Sequence, residues 1–297
     1  MQNILLFSLC SFVWGSTWYA ITFQLGDVDP LWSISYRFVL AGLILMVICF
    51  LKRVPIQFTS RQHLRIFVQG ICFCGISYWL VYLSELYINS AQSALVCTSM
   101  LYLNVIIGHF WLGNPVRLPV VIGGVLGSLG IVMVFLPELA ANLTTDLMKG
   151  VVMAFAGCIF FSIGSLICEI NKKSGLPLLS VVMMAMIYSS LFTATFALSL
   201  GKPPSFQWSM PYVVSLLYLA VFGSILAMTS YVALIGRIGA DRTAYVDVIY
   251  PIISLFIATV FEGYQWTALS LAGVLVVLVG NYIALGMSAN KAHIAKC

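Results

Sequence analysis

The sequence predicts an all-α membrane protein in which ten transmembrane helices form two five-helix repeats inserted in opposite orientations. Three observations carry this: a composition that cannot cover a soluble core, ten long apolar runs, and a self-match at an offset of 150 residues. The 297 residues are 62% hydrophobic and 8% charged, where a soluble domain carries roughly 25% charged residues. With 14 basic and 9 acidic side chains, there is too little polar surface to sheathe one water-soluble core. Lipid is the fitting solvent. The net charge of +5 then concerns membrane orientation, and no nucleic-acid partner is expected.

Crossing a hydrocarbon core takes about 20 helical residues, and only helices or closed barrels satisfy their backbone there. The runs are continuous, which selects helices over strands of alternating polarity. They are placed at 3–23, 31–51, 64–86, 90–112, 117–136, 149–170, 177–199, 211–235, 241–261 and 266–287. The first, from Ile4 to Phe23, has no Lys or Arg before it and exceeds a usual signal core, so it is expected to be a retained helix. Breakers mark the joints: Asp27, Asp29 and Pro30; Lys52 to Pro55; Asn114 and Pro115; Pro137. Later joints follow at Asn171 to Gly175, Gly201 to Pro204, Gly239, and Glu262 with Gly263.

Charge distribution tests the count. With ten helices and a cytoplasmic N-terminus, one side holds Lys52, Arg53, Arg61, Arg65, Arg117, Lys172, Lys173, Arg237, Arg242, Lys291 and Lys296. The other holds Lys149 and Lys202. Eleven against two satisfies the positive-inside rule, and adding or losing one helix mid-chain destroys the asymmetry. Both termini are therefore expected in the cytoplasm.

The offset of 150 residues aligns Ala94 with Ala244, Gly113 with Gly263, Gly123 with Gly273 and Gly130 with Gly280. This divides the chain into repeats at 1–148 and 149–297. Five is odd, so the second copy enters the bilayer inverted. Inverted repeats recur in secondary transporters, with substrate near the midplane where the repeats meet.

Trp14-Gly15-Ser16-Thr17-Trp18 and Tyr36-Arg37-Phe38-Val39-Leu40-Ala41 look like a Trp-Gly motif and an Arg-Phe-x-x-Ala motif. Tyr250-Pro251, Glu262, Gly273 and Gly280 match a closing pattern of Pro, Glu and spaced glycines. In these features, over nearly its whole length, the chain resembles the EamA-type permeases of the drug/metabolite transporter superfamily. The first repeat departs from the pattern: Leu101 stands where the Pro would be, and Leu112 or Asn114 near the expected Glu. The resemblance implies export or exchange of amino acids, metabolites or drugs from the bacterial inner membrane. An uptake carrier for a nucleotide-like or phosphorylated metabolite, or a multidrug exporter, is the alternative. Phosphorylated substrates want two or more basic groups in the cavity, and Arg37 is alone there.

Arg37 is placed roughly 10 Å below the outer boundary, counting 1.5 Å per residue. An ionisable group at that depth is costly and should face a cavity or a partner. It reads as an anchor for a substrate carboxylate or as a structural cap. Asp247 reads as a proton-coupling carboxylate or as a buried, hydrogen-bonded acid; its repeat partner is Cys97. Trp14, Trp18, Tyr78, Tyr82, Tyr102, Tyr231, Tyr245 and Tyr250 lie on helices that the family places around its central cavity. Trp14 and Tyr102, near mid-helix, are the leading contacts for an apolar or cationic ligand group. Asn104 and Asn281 would orient substrate or bridge helices. Gly15 and Pro251 are hinge candidates, with close packing as the other reading. Glu85 and Glu169 read as solvated helix ends, and Glu262 as structural in its turn.

Eight scattered cysteines and three distant histidines offer no ligand spacing, so no metal or cofactor is expected. Nothing resembles an ATP site or a catalytic motif, so neither an ATPase subunit nor an enzyme is expected. The expected partners are a small-molecule substrate and membrane lipid.

Overall fold

The computed structural model describes residues 2–113, 116, 118–141, 145–238 and 246–294. Helix α1 (Gln2–Thr22) is followed by α2 (Pro30–Leu51). The Asp29 carboxylate accepts from the Leu31 N–H at 3.0 Å and Pro30 fills the first turn, so this charged joint is the N-cap of α2. Next, α3 (Ser60–Gly70) opens on a Thr59/Gln62 capping box and passes through a π-helical stretch, Ile71–Ile76, into α4 (Ser77–Ser84). A second capping box, Asn89/Gln92, opens α5 (Ser90–Cys97), which leads into α6 (Met100–Leu112).

Three long helices follow: α7 (Leu118–Ala141), α8 (Thr145–Lys173) and α9 (Leu178–Ser199). Then α10 (Met210–Tyr218) runs through a second π-helical stretch, Leu219–Leu226, into α11 (Ala227–Ile238). The last two are α12 (Val246–Phe261) and α13 (Ala268–Ile294). Helix α7 continues past Pro137, which transmembrane helices tolerate. Helix α8 starts at Thr145, ahead of the expected boundary at 148/149. Among the described residues there is no strand. Among the described residues, eight helical stretches are long and apolar enough to cross a membrane, and Ile249–Phe261 and Ala268–Ile283 are shorter apolar helices.

The broadest helix pairing among the described residues joins α7 to α13. A Cβ on Gly130 would lie 2.5 Å from the Gly273 carbonyl oxygen, and one on Gly273 would lie 2.6 Å from that of Gly130. Gly280 approaches Gly123 in the same way, at 2.7 Å. Small residues let these backbones touch. Elsewhere α2 packs along α9, α1 against α12 and α11, and α4 against α8. Gly113 and Gly263, at φ 69° and 68°, end α6 and α12 in the left-handed region that glycine adopts at little cost.

The main buried cluster runs through the middle of the bundle and includes Trp14, Phe38, Tyr82, Phe161, Met186 and Tyr250. Phe50, Phe110 and Phe256 point outward; that is the arrangement lipid rewards. All seven described cysteines are buried, as small apolar side chains would be.

Candidate functional site

The cavity lies between α1, α2, α4 and α12. It encloses about 530 Å³ of empty space, counting the part open to solvent. Its aromatic wall is Trp14, Trp18, Tyr78, Phe161 and Tyr250, joined by Ile21, Val81 and Met100. The polar groups reaching it come from Arg37, Thr17 and Ser77. Trp18 stacks on Tyr250 with ring centroids 6.0 Å apart, and Trp14 meets Tyr250 edge-on at 6.4 Å and Tyr231 at 4.8 Å. Such interlocked rings hold one another in fixed rotamers and leave a rigid, polarisable surface.

The second π-helical stretch holds two residues of the cavity lining, Trp14 and Arg37. The wide turn leaves the Gly223 carbonyl available, and the Trp14 indole N–H donates to it at 3.3 Å. One residue on, the Ser224 hydroxyl donates to the Leu219 carbonyl at 3.0 Å and accepts from Arg37 Nε at 2.9 Å. Gly223 also leaves room: a Cβ there would stand 2.9 Å from Thr17 Cγ2 and 3.0 Å from Arg37 Nη2. The first π-helical stretch meets the cavity as well, with Phe73 stacked on Phe161 at 4.2 Å. π-Turns concentrate at functional sites because they release backbone groups that an α-helix would consume.

Arg37 is 1% exposed. Its Nη1 donates to the Tyr82 hydroxyl at 3.3 Å, and its guanidinium carbon lies 4.7 Å from the Tyr78 ring centre and 5.4 Å from that of Phe38. The described ion pairs are Asp146–Lys149, Glu169–Lys173 and Asp29–Lys202, all away from the cavity. Thus Arg37 is held by hydroxyls and rings, with no carboxylate in contact among the described residues. A guanidinium has five donors, and two are used in these contacts.

The structure brings together Trp14, Arg37, Tyr78 and Tyr250 at the cavity, with Tyr82 behind them as the support of Arg37. It does not bring Tyr102 there. The Tyr102 hydroxyl donates to Asn281 Oδ1, and its ring lies in the groove over Gly124 and Gly127 of α7. Asn281 is accordingly a helix bridge. Asn104 is half-buried on α6, away from the cavity lining, with its Oδ1 unpartnered. Gly15 is a close-packing position: a Cβ would lie 2.6 Å from that of Ile253. Pro251 is inside α12. Tyr245 and the Asp247 side chain lie outside the described residues. Sequence reasoning missed Ser224, whose role follows from a π-turn that no motif announces.

The model of the EamA-like transporter family matches residues 1–136 and again 148–286. The chain belongs to the EamA-like transporter family. Members of this family are transporters rather than enzymes, and the chain is a multi-pass integral membrane protein. Among curated relatives, protein PagO of Salmonella typhimurium is 21% identical, the match covering 95% of this chain and 92% of that protein. A probable amino-acid metabolite efflux pump of Salmonella typhimurium is 25% identical over 91% of this chain and 90% of its own length. A protein of the same description from Escherichia coli is 24% identical, with the same coverage. A solved crystal structure superposes with a TM-score of 0.71 at 16% identity, covering 96% of this chain and 97% of the other. At that identity the match speaks for the fold alone.

Proposed function

We propose that this EamA-family protein is a secondary transporter of the bacterial inner membrane that exports or exchanges a small amino-acid-like metabolite by alternating access. Arg37 anchors the substrate carboxylate, and Trp14, Trp18, Tyr78 and Tyr250 grip its apolar side chain. The observation that carries this reading is a buried guanidinium at an aromatic cavity, with no carboxylate in contact with it among the described residues. A permanent protein anion would have satisfied Arg37 and left nothing for a ligand to add. The efflux-pump descriptions of two relatives point the same way.

In this reading ten helices form two inverted repeats, with both termini cytoplasmic. Reciprocity supports it. Exchanging the halves turns the Gly130–Gly273 contact into Gly280–Gly123, which is also present. It turns α1 on α12 into α8 on α5 and α6, and α4 on α8 into α11 on α1. The π-helical stretches fall at matching places in the third and eighth spans. Two packings related by such an exchange differ little in energy, which is what alternating access requires. Coupling through Asp247 belongs to the same reading: Asp247→Asn would abolish flux driven by a pH gradient and spare counterflow.

The test is counterflow in proteoliposomes holding purified protein, with radiolabelled phenylalanine, tryptophan and threonine as probes. Uptake of at least one probe above that of empty liposomes, lost in Arg37→Gln, is expected. Flux equal in wild type and Arg37→Gln would contradict the anchoring role.

A further inference from the structure

Glu85 is the first residue beyond the membrane-spanning stretch Ser60–Ser84, and its position near a helix end suggested a solvated side chain. The structure reverses that. Both carboxylate oxygens are sealed from solvent and neither has a hydrogen-bond partner among the described residues. The carboxyl lies one turn past Val81, a cavity-lining residue, on the helix whose Tyr82 supports Arg37. Two other elements meet here. The Ser90 hydroxyl and backbone N–H, at the start of α5, both donate to the Glu262 carboxylate at the end of α12, the latter at 3.3 Å. Among the described residues, the charged groups acting on Glu85 are Glu262 from α12 and Arg37 from α2. Burial, with the negative charge of Glu262 added, pushes the Glu85 carboxyl well above the usual carboxylate range, against the opposing pull of Arg37.

We propose that Glu85 is a proton-binding site at the closure of this end of the cavity, where α5 is tied to α12 through Ser90 and Glu262. An ionised carboxylate without hydrogen bonds is far costlier to bury than a neutral acid. The closed contact therefore holds Glu85 as the acid. Parting α5 from α12 admits water, and the O–H bond of Glu85 breaks, giving one proton to the solution at that end. Closing the contact takes one proton back. A metal cation is a poorer occupant, because both Glu262 oxygens are already engaged by Ser90. The transport consequence rests on the alternating-access reading, but the proton site is measurable without any substrate.

The experiment is infrared difference spectroscopy of the full-length protein in lipid nanodiscs. At pH 7 a carbonyl-stretch band of a protonated carboxyl group is expected. It should vanish in Glu85→Gln, whose neutral amide keeps the fold, and persist in Glu262→Gln. Absence of the band in wild type, its survival in Glu85→Gln, or its removal by added sodium ions would overturn the proposal.

A second arm reads the closure in chains whose native cysteines are replaced, comparing Ile21→Cys in the cavity with exposed Trp208→Cys as reference. The ratio of their labelling rates by a membrane-impermeant maleimide should rise several-fold from pH 6 to pH 9. With Glu85→Gln added it should stay flat. A flat ratio without that substitution would overturn the link to closure.

Discussion

The α7/α13 seam and the cavity wall are both helix contacts in one bundle, yet they are built from opposite materials. The seam brings glycine backbones together until a single Cβ would collide with a carbonyl oxygen. The wall holds helices apart with interlocked rings and a guanidinium tied to hydroxyls. Without a hydrophobic driving force between helices in lipid, close backbone packing is the main source of cohesion. A bundle that must also enclose space can concentrate that cohesion in one place and leave the other open. The seam is the scaffold, and the wall encloses the cavity.

Substitutions that exchange the two characters should break the contrast. The largest effect on folding is expected at the seam. Gly130→Val puts a branched side chain against the backbone of α13, and overpacking of that kind costs typically about 1–3 kcal/mol. Thermal denaturation in detergent micelles should show a clear drop in melting temperature; an unchanged melting point would mean that the seam is loose.

Tyr102→Phe is smaller and sharpens the boundary between the regions. It removes the bond to Asn281, and hydrogen bonds between membrane helices average about 0.6 kcal/mol. The variant should melt slightly lower and bind ligand as wild type does. Weakened ligand binding would return Tyr102 to the cavity. Smallest of all is Lys202→Ala, which deletes a partly exposed ion pair with Asp29 worth about 0.2–1 kcal/mol. Its effect on melting should fade as salt is raised.

Much of the architecture was legible in the chain. Apolar runs and charged joints located most helix ends to within a few residues, because lipid demands both length and composition, although α7 runs on to Ala141 and α13 to Ile294. Asp29-Pro30 reads as a helix start and is one. The glycines matched at the 150-residue offset turned out to touch one another or to end helices in the left-handed region. Arg37 stood out because a charge in an apolar run always needs a reason.

Other features were hidden for physical reasons. Helix α6 is apolar on nearly every side, so its periodicity does not say which way Tyr102 turns. The π-helical stretches contain no proline and look like ordinary helix. The second of them holds Trp14 and Arg37, residues about 200 positions away. Glu85 looks solvated from its neighbours in sequence, yet both of its carboxylate oxygens are buried. Facing direction and burial are long-range properties, and the local pattern carries neither.

The central claim is that Arg37 waits for an anion, and it can be measured with one matched pair. Phenylalanine and phenethylamine share the ring and the amine and differ in the carboxylate. Their stabilisation of the purified protein should be compared by thermal shift in wild type and in Arg37→Gln. Charge-assisted hydrogen bonds are worth about 1.5–3 kcal/mol, so wild type should prefer the amino acid at least tenfold. Arg37→Gln should lose that preference while still folding, since among the described residues no carboxylate pairs with the charge it removes. Equal stabilisation of wild type by both compounds, or a preference that survives in Arg37→Gln, would contradict the account.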